Sequence, residues 1–266
     1  MQIGIIGLGL IGGSILRGLL NFGHKINVVT RNKNTIDSIK NLVNEVSDDY
    51  EVLKNCDFVF VCTPINNVLE TLDKLENIVS KNCIVTDVAS VKEFVTKKKR
   101  PYRFIPSHPM AGTENSGYEA SFDGLFKGAK WVLTPYDYDN LDTITEIIES
   151  LGAIPIIADA KEHDIAVAMI SHLPMYISQC LFAMAKDNQL AMKLAASGFR
   201  DTTRIAGTNL TLAKDMLKFN RENIDFSAKE FQNIFENLKN NYTDDVLLPI
   251  QQKRRNMYSQ DGKNLL

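Results

Sequence analysis

Short apolar runs of strand length recur along the first 158 residues, each separated from the next by a stretch with helical periodicity. They are Gln2–Ile6, Ile26–Thr30, Phe58–Cys62, Ile84–Val88, Phe104–Pro106, Trp131–Thr134 and Ile154–Ile157. Strands that alternate with helices predict one doubly wound, mostly parallel α/β sheet. The helices between them include Ile11–Phe22, one opened by Asn34 or Thr35, and Asn67–Val79, which stops before Lys81-Asn82. After about Ala158 the alternation ends, and Glu162–Lys186, Leu210–Asn220, Asp225–Lys239 and Asp244–Tyr258 all repeat with helical period. The chain therefore divides into an α/β part, 1–158, and an all-α part, 159–266. Met169, Ile170, Leu173, Met175, Ile177, Leu181 and Phe182 are too many apolar residues for one buried stripe, so the helical part is expected to pack on a second subunit.

The turn after the first strand reads Gly7-Leu8-Gly9-Leu10-Ile11-Gly12. A glycine at the first position permits a tight turn, the second lets the backbone approach a pyrophosphate, and the third allows close packing of helix on strand. Free N–H groups and the dipole at the start of the helix favour the phosphates. A nicotinamide or flavin dinucleotide is thus predicted at the start of the chain.

With 266 residues, 44% hydrophobic and 23% charged, the chain can bury the core of one large or two ordinary domains. A formal net charge of −2 argues against a nucleic-acid surface, and Lys97-Lys98-Lys99-Arg100 reads as a solvated helix end. Cys56, Cys62, Cys83 and Cys180 form no C-x-x-C pair and are expected as buried free thiols. No metal is expected, because no two of the four histidines have ligand spacing. Ile3–Leu20 lacks the basic start and cleavage site of a leader, and no other segment approaches the ~20 apolar residues needed to span a bilayer. These features predict a cytoplasmic protein without a membrane partner.

Ligands of open α/β sheets bind beyond the carboxyl ends of the strands. That rule selects Gly7, Thr30-Arg31, Thr63-Pro64, Ser90 and Ser107-His108. The second strand ordinarily ends in an Asp or Glu that binds the ribose 2′-hydroxyl of NAD, but here Thr30 and Arg31 stand in its place. A guanidinium suits a 2′-phosphate, which favours NADP over NAD. His108, in a breaker-rich loop, can take a hydroxyl proton as hydride leaves the same carbon. A lone histidine is equally a structural residue, and His172, beside Pro174 on an apolar helix, reads as a core or cap position. His163 and His24 carry no distinguishing signal.

Six motifs occur in order: Gly7-Leu8-Gly9-Leu10-Ile11-Gly12-Gly13-Ser14, Cys62-Thr63-Pro64, Thr86-Asp87-Val88-Ala89-Ser90-Val91-Lys92, Ser107-His108-Pro109-Met110-Ala111-Gly112-Thr113-Glu114, Ser171-His172-Leu173-Pro174 and Gly198-Phe199-Arg200-Asp201-Thr202-Thr203-Arg204. Together they resemble the prephenate/arogenate dehydrogenases of tyrosine biosynthesis, from residue 1 to about residue 220. The resemblance implies a Rossmann-type NAD(P)-binding domain over 1–158, followed by a helical substrate and dimerisation domain over 159–266, and hence a homodimer. It implies that His108 hydrogen-bonds the substrate ring hydroxyl and assists hydride loss, and that Ser90 orients substrate and histidine. His172 would line the substrate pocket, Arg204 would bind a substrate carboxylate, and Glu114 would gate or order the pocket. Gly7, Leu8, Gly9, Leu10, Ile11, Gly12, Thr30, Arg31, Cys62, Thr63 and Pro64 would hold the cofactor.

Plainer roles exist for several of these residues. Ser90 could cap a helix starting near Val91, and Arg200 and Arg204 could pair with Asp201. Prephenate is favoured over arogenate as substrate, and 266 residues leave no room for a mutase or regulatory segment beside two domains. A 3-hydroxyacid dehydrogenase or imine reductase would carry a lysine near the domain junction, where this chain has Ser171-His172-Leu173-Pro174. A module that only senses NADP would need neither His108 nor Arg204.

Overall fold

Val, Ile and Phe fill both faces of the central strands, as a sheet covered by helices on both sides requires. The computed structural model describes residues 1–113, 115–137 and 141–258. Strands β1 (Gln2–Ile6), β2 (Lys25–Val29), β3 (Glu45–Ser47), β4 (Phe58–Val61), β5 (Ile84–Asp87) and β6 (Arg103–Phe104) form a parallel sheet of order β3-β2-β1-β4-β5-β6. The two-residue strand period sorts its side chains. Ile3, Ile5, Phe58 and Phe60 pack on one face with Ile15, Leu16 and Leu19 of α1 (Leu10–Leu19), while Ile6, Val59 and Val61 pack on the other with Val68, Leu72 and Leu75 of α3 (Ile65–Leu75).

Local chemistry explains where these elements differ from their sequence patterns. The cap of α2 (Lys33–Ile39) is Asn32, whose side chain accepts the N–H groups of Asn34 and Thr35, so neither of those two residues opens the helix. Strand β3 has one apolar residue on a half-exposed edge and therefore no hydrophobic run to betray it. Trp131–Thr134 and Ile154–Ile157 do not extend the main sheet. Pro106 has no N–H to continue the ladder against β5, so the chain turns away after Ile105. It starts a second sheet, in which β7 (Ser107–Pro109) runs antiparallel to β8 (Lys130–Leu133) and β8 parallel to β9 (Ile154–Ile157). Between β8 and β9 lies α5 (Asp142–Ser150).

From Ala160 onward the described residues hold helices and no strand. The expected continuous helix Glu162–Lys186 is interrupted. It comprises α6 (Ala160–Val167), a π turn over Ala168–His172 and α7 (Leu173–Ala185). Pro174 cannot donate to the i−4 carbonyl, and the wide turn before it absorbs the mismatch. By length and composition this 26-residue segment could cross a membrane, contrary to the sequence expectation. Within it, however, buried His163, Asp164 and His172 are hydrogen-bonded to other parts of the molecule. The remaining helices are α8 (Gln189–Leu194), α9 (Ser197–Thr203), α10 (Leu210–Phe219), α11 (Arg221–Asn240) and α12 (Asp244–Tyr258). Leu173 and Met175 are buried, whereas Met169, Ile170 and Phe182 are exposed. Cys56 and Cys83 are buried free thiols and Cys62 is half-buried, but Cys180 is exposed on α7, against expectation.

Candidate active site

Strand register brings the candidate loops to one level. Ile6 pairs with Val61, and Val61 with Asp87, so Gly7, Cys62 and Val88 leave the sheet side by side. Gly7 has φ +87°, and a Cβ there would press on the Cys62 carbonyl; a Cβ at Gly12 would collide with the Gly7 carbonyl. At Gly9 it would meet no protein atom within 4 Å. The protein's own packing thus requires two of the glycines, and the third faces open space. Helix α1 starts there without an acidic residue in its first turn, which leaves its N-terminal N–H groups as a cradle for an anion.

Beside this loop, which includes Leu8, Leu10 and Ile11, lies a cavity of about 580 Å³, and Gly7, Thr30, Arg31, Thr63 and Pro64 line it as the sequence suggested. Asp48, Tyr50, Glu70 and Lys74 also line it and were missed. Asp48 and Tyr50 follow the unrecognised β3, and Lys74 lies at the far end of α3, ion-paired with Glu70 at 2.7 Å and 5.7 Å from the Tyr50 ring centre. Cys62 sits under the loop rather than among the cavity's lining residues, and burial pushes its thiol pKa up. Loop, helix terminus and cavity fit a dinucleotide.

The loop after β5 is sewn to β7. Lys92 and Asp87 form a wholly buried ion pair, and the Lys92 ammonium also donates to the Ser107 carbonyl at 2.6 Å. Ser107 Oγ donates to the Asp87 carbonyl at 2.7 Å and accepts from Trp131 Nε1 at 2.9 Å. These bonds hold His108 on strand β7, not on the breaker-rich loop expected, and Ser90 is half-buried in the loop after β5. Among the described residues Ser90 caps no helix: α4 (Glu93–Thr96) has no side-chain cap from its own N-cap residue, Lys92. Instead Asp164 of α6 accepts the N–H groups of Lys92 at 2.7 Å and Glu93 at 2.8 Å.

That carboxylate also reaches His163, whose Nδ1 lies 2.8 Å from Asp164 Oδ1, and His163 Nε2 lies 2.9 Å from His108 Nδ1. His163, which carried no signal in the sequence, is therefore the direct partner of the leading candidate. Burial, followed by the neighbouring His163, Lys92 and His172, holds His108 well below the ordinary histidine range. It is neutral at neutral pH and can accept a proton.

His172 is buried, with Nδ1 3.1 Å from Asn220 Nδ2, and its Nε2 has no hydrogen-bond partner among the described residues. Burial lowers its pKa to about 4. It lines a second, apolar cavity of about 180 Å³ with Met175, Tyr176, Leu217 and Lys214. Arg204 is exposed, opens a short 3-10 turn (Arg204–Gly207) packed on α7, and lines neither cavity. The ion pair with Asp201 is made by Arg200, at 2.9 Å, and not by Arg204. Glu114 lies outside the described residues.

A family model described as "Prephenate dehydrogenase, nucleotide-binding domain" matches residues 17–157, and one described as "Prephenate dehydrogenase, dimerization domain" matches residues 159–248. Prephenate dehydrogenase of Lactococcus lactis is 32% identical over 235 residues, covering 83% of this chain and 65% of that protein. The chain thus spans just under two thirds of that relative's length. The crystal structure of Synechocystis arogenate dehydrogenase superposes with a TM-score of 0.82 at 35% identity, over 96% of this chain and 98% of the other. Prephenate dehydrogenase from Aquifex aeolicus, in complex with hydroxyphenyl propionate and NAD+, superposes with a TM-score of 0.84 at 27% identity, over 96% and 98%.

Proposed function

The chain belongs to the prephenate dehydrogenase family, and we propose that it converts prephenate to 4-hydroxyphenylpyruvate by oxidative decarboxylation with NAD(P)+, a step of tyrosine biosynthesis. The observation that carries this reading is His108: anchored through one ring nitrogen to His163 at 2.9 Å, on the strand that the Ser107–Asp87 and Lys92–Ser107 hydrogen bonds tie to the carboxyl end of β5. Residues 1–158 would bind the dinucleotide, and residues 159–266 would complete the substrate site and pair two subunits.

The Gly7–Gly12 loop and the cavity lined by Thr30, Arg31, Thr63 and Pro64 would hold the cofactor, which would supply the hydride acceptor. The substrate carries its hydroxyl and the departing hydrogen on one ring carbon. His108 takes the hydroxyl proton while that hydrogen leaves as hydride; carbon dioxide is then lost, the ring becomes aromatic, and the proton returns to the phenolate oxygen. Aromaticity drives the reaction, so the protein's task is to hold donor and acceptor within about 3–3.5 Å and to receive one proton. Ser90, in the loop pinned by Lys92, would orient hydroxyl and imidazole. The unpartnered His172 Nε2 would donate to the substrate, and the Arg204 guanidinium would hold a carboxylate bidentately.

Arg31 and Lys74, both cationic, line the larger cavity and support NADP; Asp48, which lines it too, supports NAD as the second reading. The Synechocystis relative supports arogenate as alternative substrate. One assay separates all four combinations: prephenate or arogenate, each with NAD+ or NADP+, followed by reduced cofactor. Turnover of prephenate above arogenate is expected, with a raised KM for Arg204→Lys. No cofactor reduction with either substrate would overturn the reading.

A further inference from the structure

Asp164 dictates which nitrogen of His108 is free to take a proton. Its carboxylate accepts the backbone N–H of Lys92 and of Glu93, so both oxygens already act as acceptors. His163 Nδ1, 2.8 Å from the same Oδ1, must therefore be the donor of that contact. A neutral imidazole carries one N–H, which leaves His163 Nε2 as a bare acceptor. His108 Nδ1, 2.9 Å away, must then supply the proton of the next bond, and this leaves His108 Nε2 with its lone pair. The two rings meet edge to face at 80°, so each is also fixed in orientation by the other.

We propose that His163 and Asp164 are positioning residues for the reaction: a carboxylate–imidazole pair that sets the tautomer and orientation of His108, so that Nε2 faces the substrate hydroxyl as an acceptor. This rests on reading His108 as the base. The pair reaches across the molecule. Asp164 is on α6 of the helical half, and the backbone groups it grips open α4, just after Ser90. Docking the helical half against α4 thus assembles the base as well as the fold. The buried side chains permit no other donor to the carboxylate's imidazole-facing oxygen than Lys92 N–H and His163 among the described residues. A carboxylate that fixes a histidine's tautomer is worth up to about 10⁴ in kcat where it has been removed from other enzymes.

The direct test is histidine 15N NMR on the intact protein at neutral pH, with the His108 signals assigned by their loss in His108→Ala. The expected result is a proton on Nδ1 and none on Nε2 of His108. A proton on Nε2, as a doubly protonated His163 would enforce, overturns the proposal. This arm needs no turnover, so it stays readable even if the protein proves inactive on prephenate, which would be a failure of the functional reading alone. Kinetically, His163→Leu should lower kcat by about 10²-fold or more with KM for the dinucleotide within about twofold. His163→Gln, whose amide oxygen can accept from His108 Nδ1, should restore at least about tenfold of that loss. A kcat for His163→Leu within about twofold of the parent overturns the proposal, as does a His163→Gln no faster than the leucine variant. If His163→Leu does not fold, the tautomer in the parent protein decides.

Discussion

Lys92 and Asp87 are paired where solvent reaches neither side chain, and the same ammonium bonds the Ser107 carbonyl one residue before His108. Burial lowers the Lys92 pKa, and the attraction of Asp87 opposes it. Removing one partner of such a pair strands the other charge. Lys92→Met is therefore expected to cost about 3–5 kcal/mol of stability, read from urea unfolding. The double variant Lys92→Met, Asp87→Leu should recover much of that loss. A Lys92→Met protein as stable as the parent would show that the pair is no structural pin.

His108→Ala should retain dinucleotide affinity and lose turnover by about 10²–10⁴, the range of a positioned general base. Cofactor titration by fluorescence and steady-state kinetics on the same preparation separate the two effects. Near-normal turnover in a folded variant would remove His108 from the mechanism.

His172 titrates near pH 4 in the folded protein against an ordinary 6.5. The unfolded chain therefore takes up this proton first as pH falls. The stability due to neutral His172 is complete above about pH 6.5 and drains as pH drops toward 4, by about 3 kcal/mol at roughly 1.4 kcal/mol per unit. Urea unfolding across that window should show a shallower pH slope for His172→Gln than for the parent. Identical slopes would mean that the imidazole is already charged when folded.

Arg31 is exposed on the wall of the dinucleotide cavity. Arg31→Ala should cost NADP about 1.5–3 kcal/mol of binding and NAD little, the scale of a hydrogen bond to a charged group. Isothermal titration with both cofactors checks it, and equal losses would show that Arg31 does not read a 2′-phosphate.

Met169, Ile170, Met184, Leu190 and Leu194 are exposed on the helical half, each between 49% and 79%. Apolar surface of that extent predicts a homodimer through this half that buries more than about 2,000 Å². Light scattering should give a two-chain mass at micromolar concentration, and Met184→Asp with Leu194→Asp should shift it toward one chain. A single-chain mass for the parent would reject the dimer.

Strands β1, β2, β4, β5, β8 and β9, the glycine loop and the change from alternating α/β to all-α were legible in the sequence, because each depends on neighbours within one element: apolar runs of strand length, a turn needing φ > 0, helical periodicity. His108 was legible for the same reason, as a histidine next to a strand end. Its partners were not. His163 lies 55 residues away and Asp164 joins α4 across 71 or more, and helical periodicity tells which face a residue occupies but not what docks on that face. Ser90 could be read as a cap only because the cap that arrives from α6 is invisible locally. Likewise Pro106 announces a break, but the antiparallel partner that turns Ser107–Pro109 into a strand is β8, more than twenty residues on. Local chemistry specified the elements; the docking of α6 on α4 and of β7 on β8 specified the site, because hydrogen bonds between distant segments exist only once both are packed.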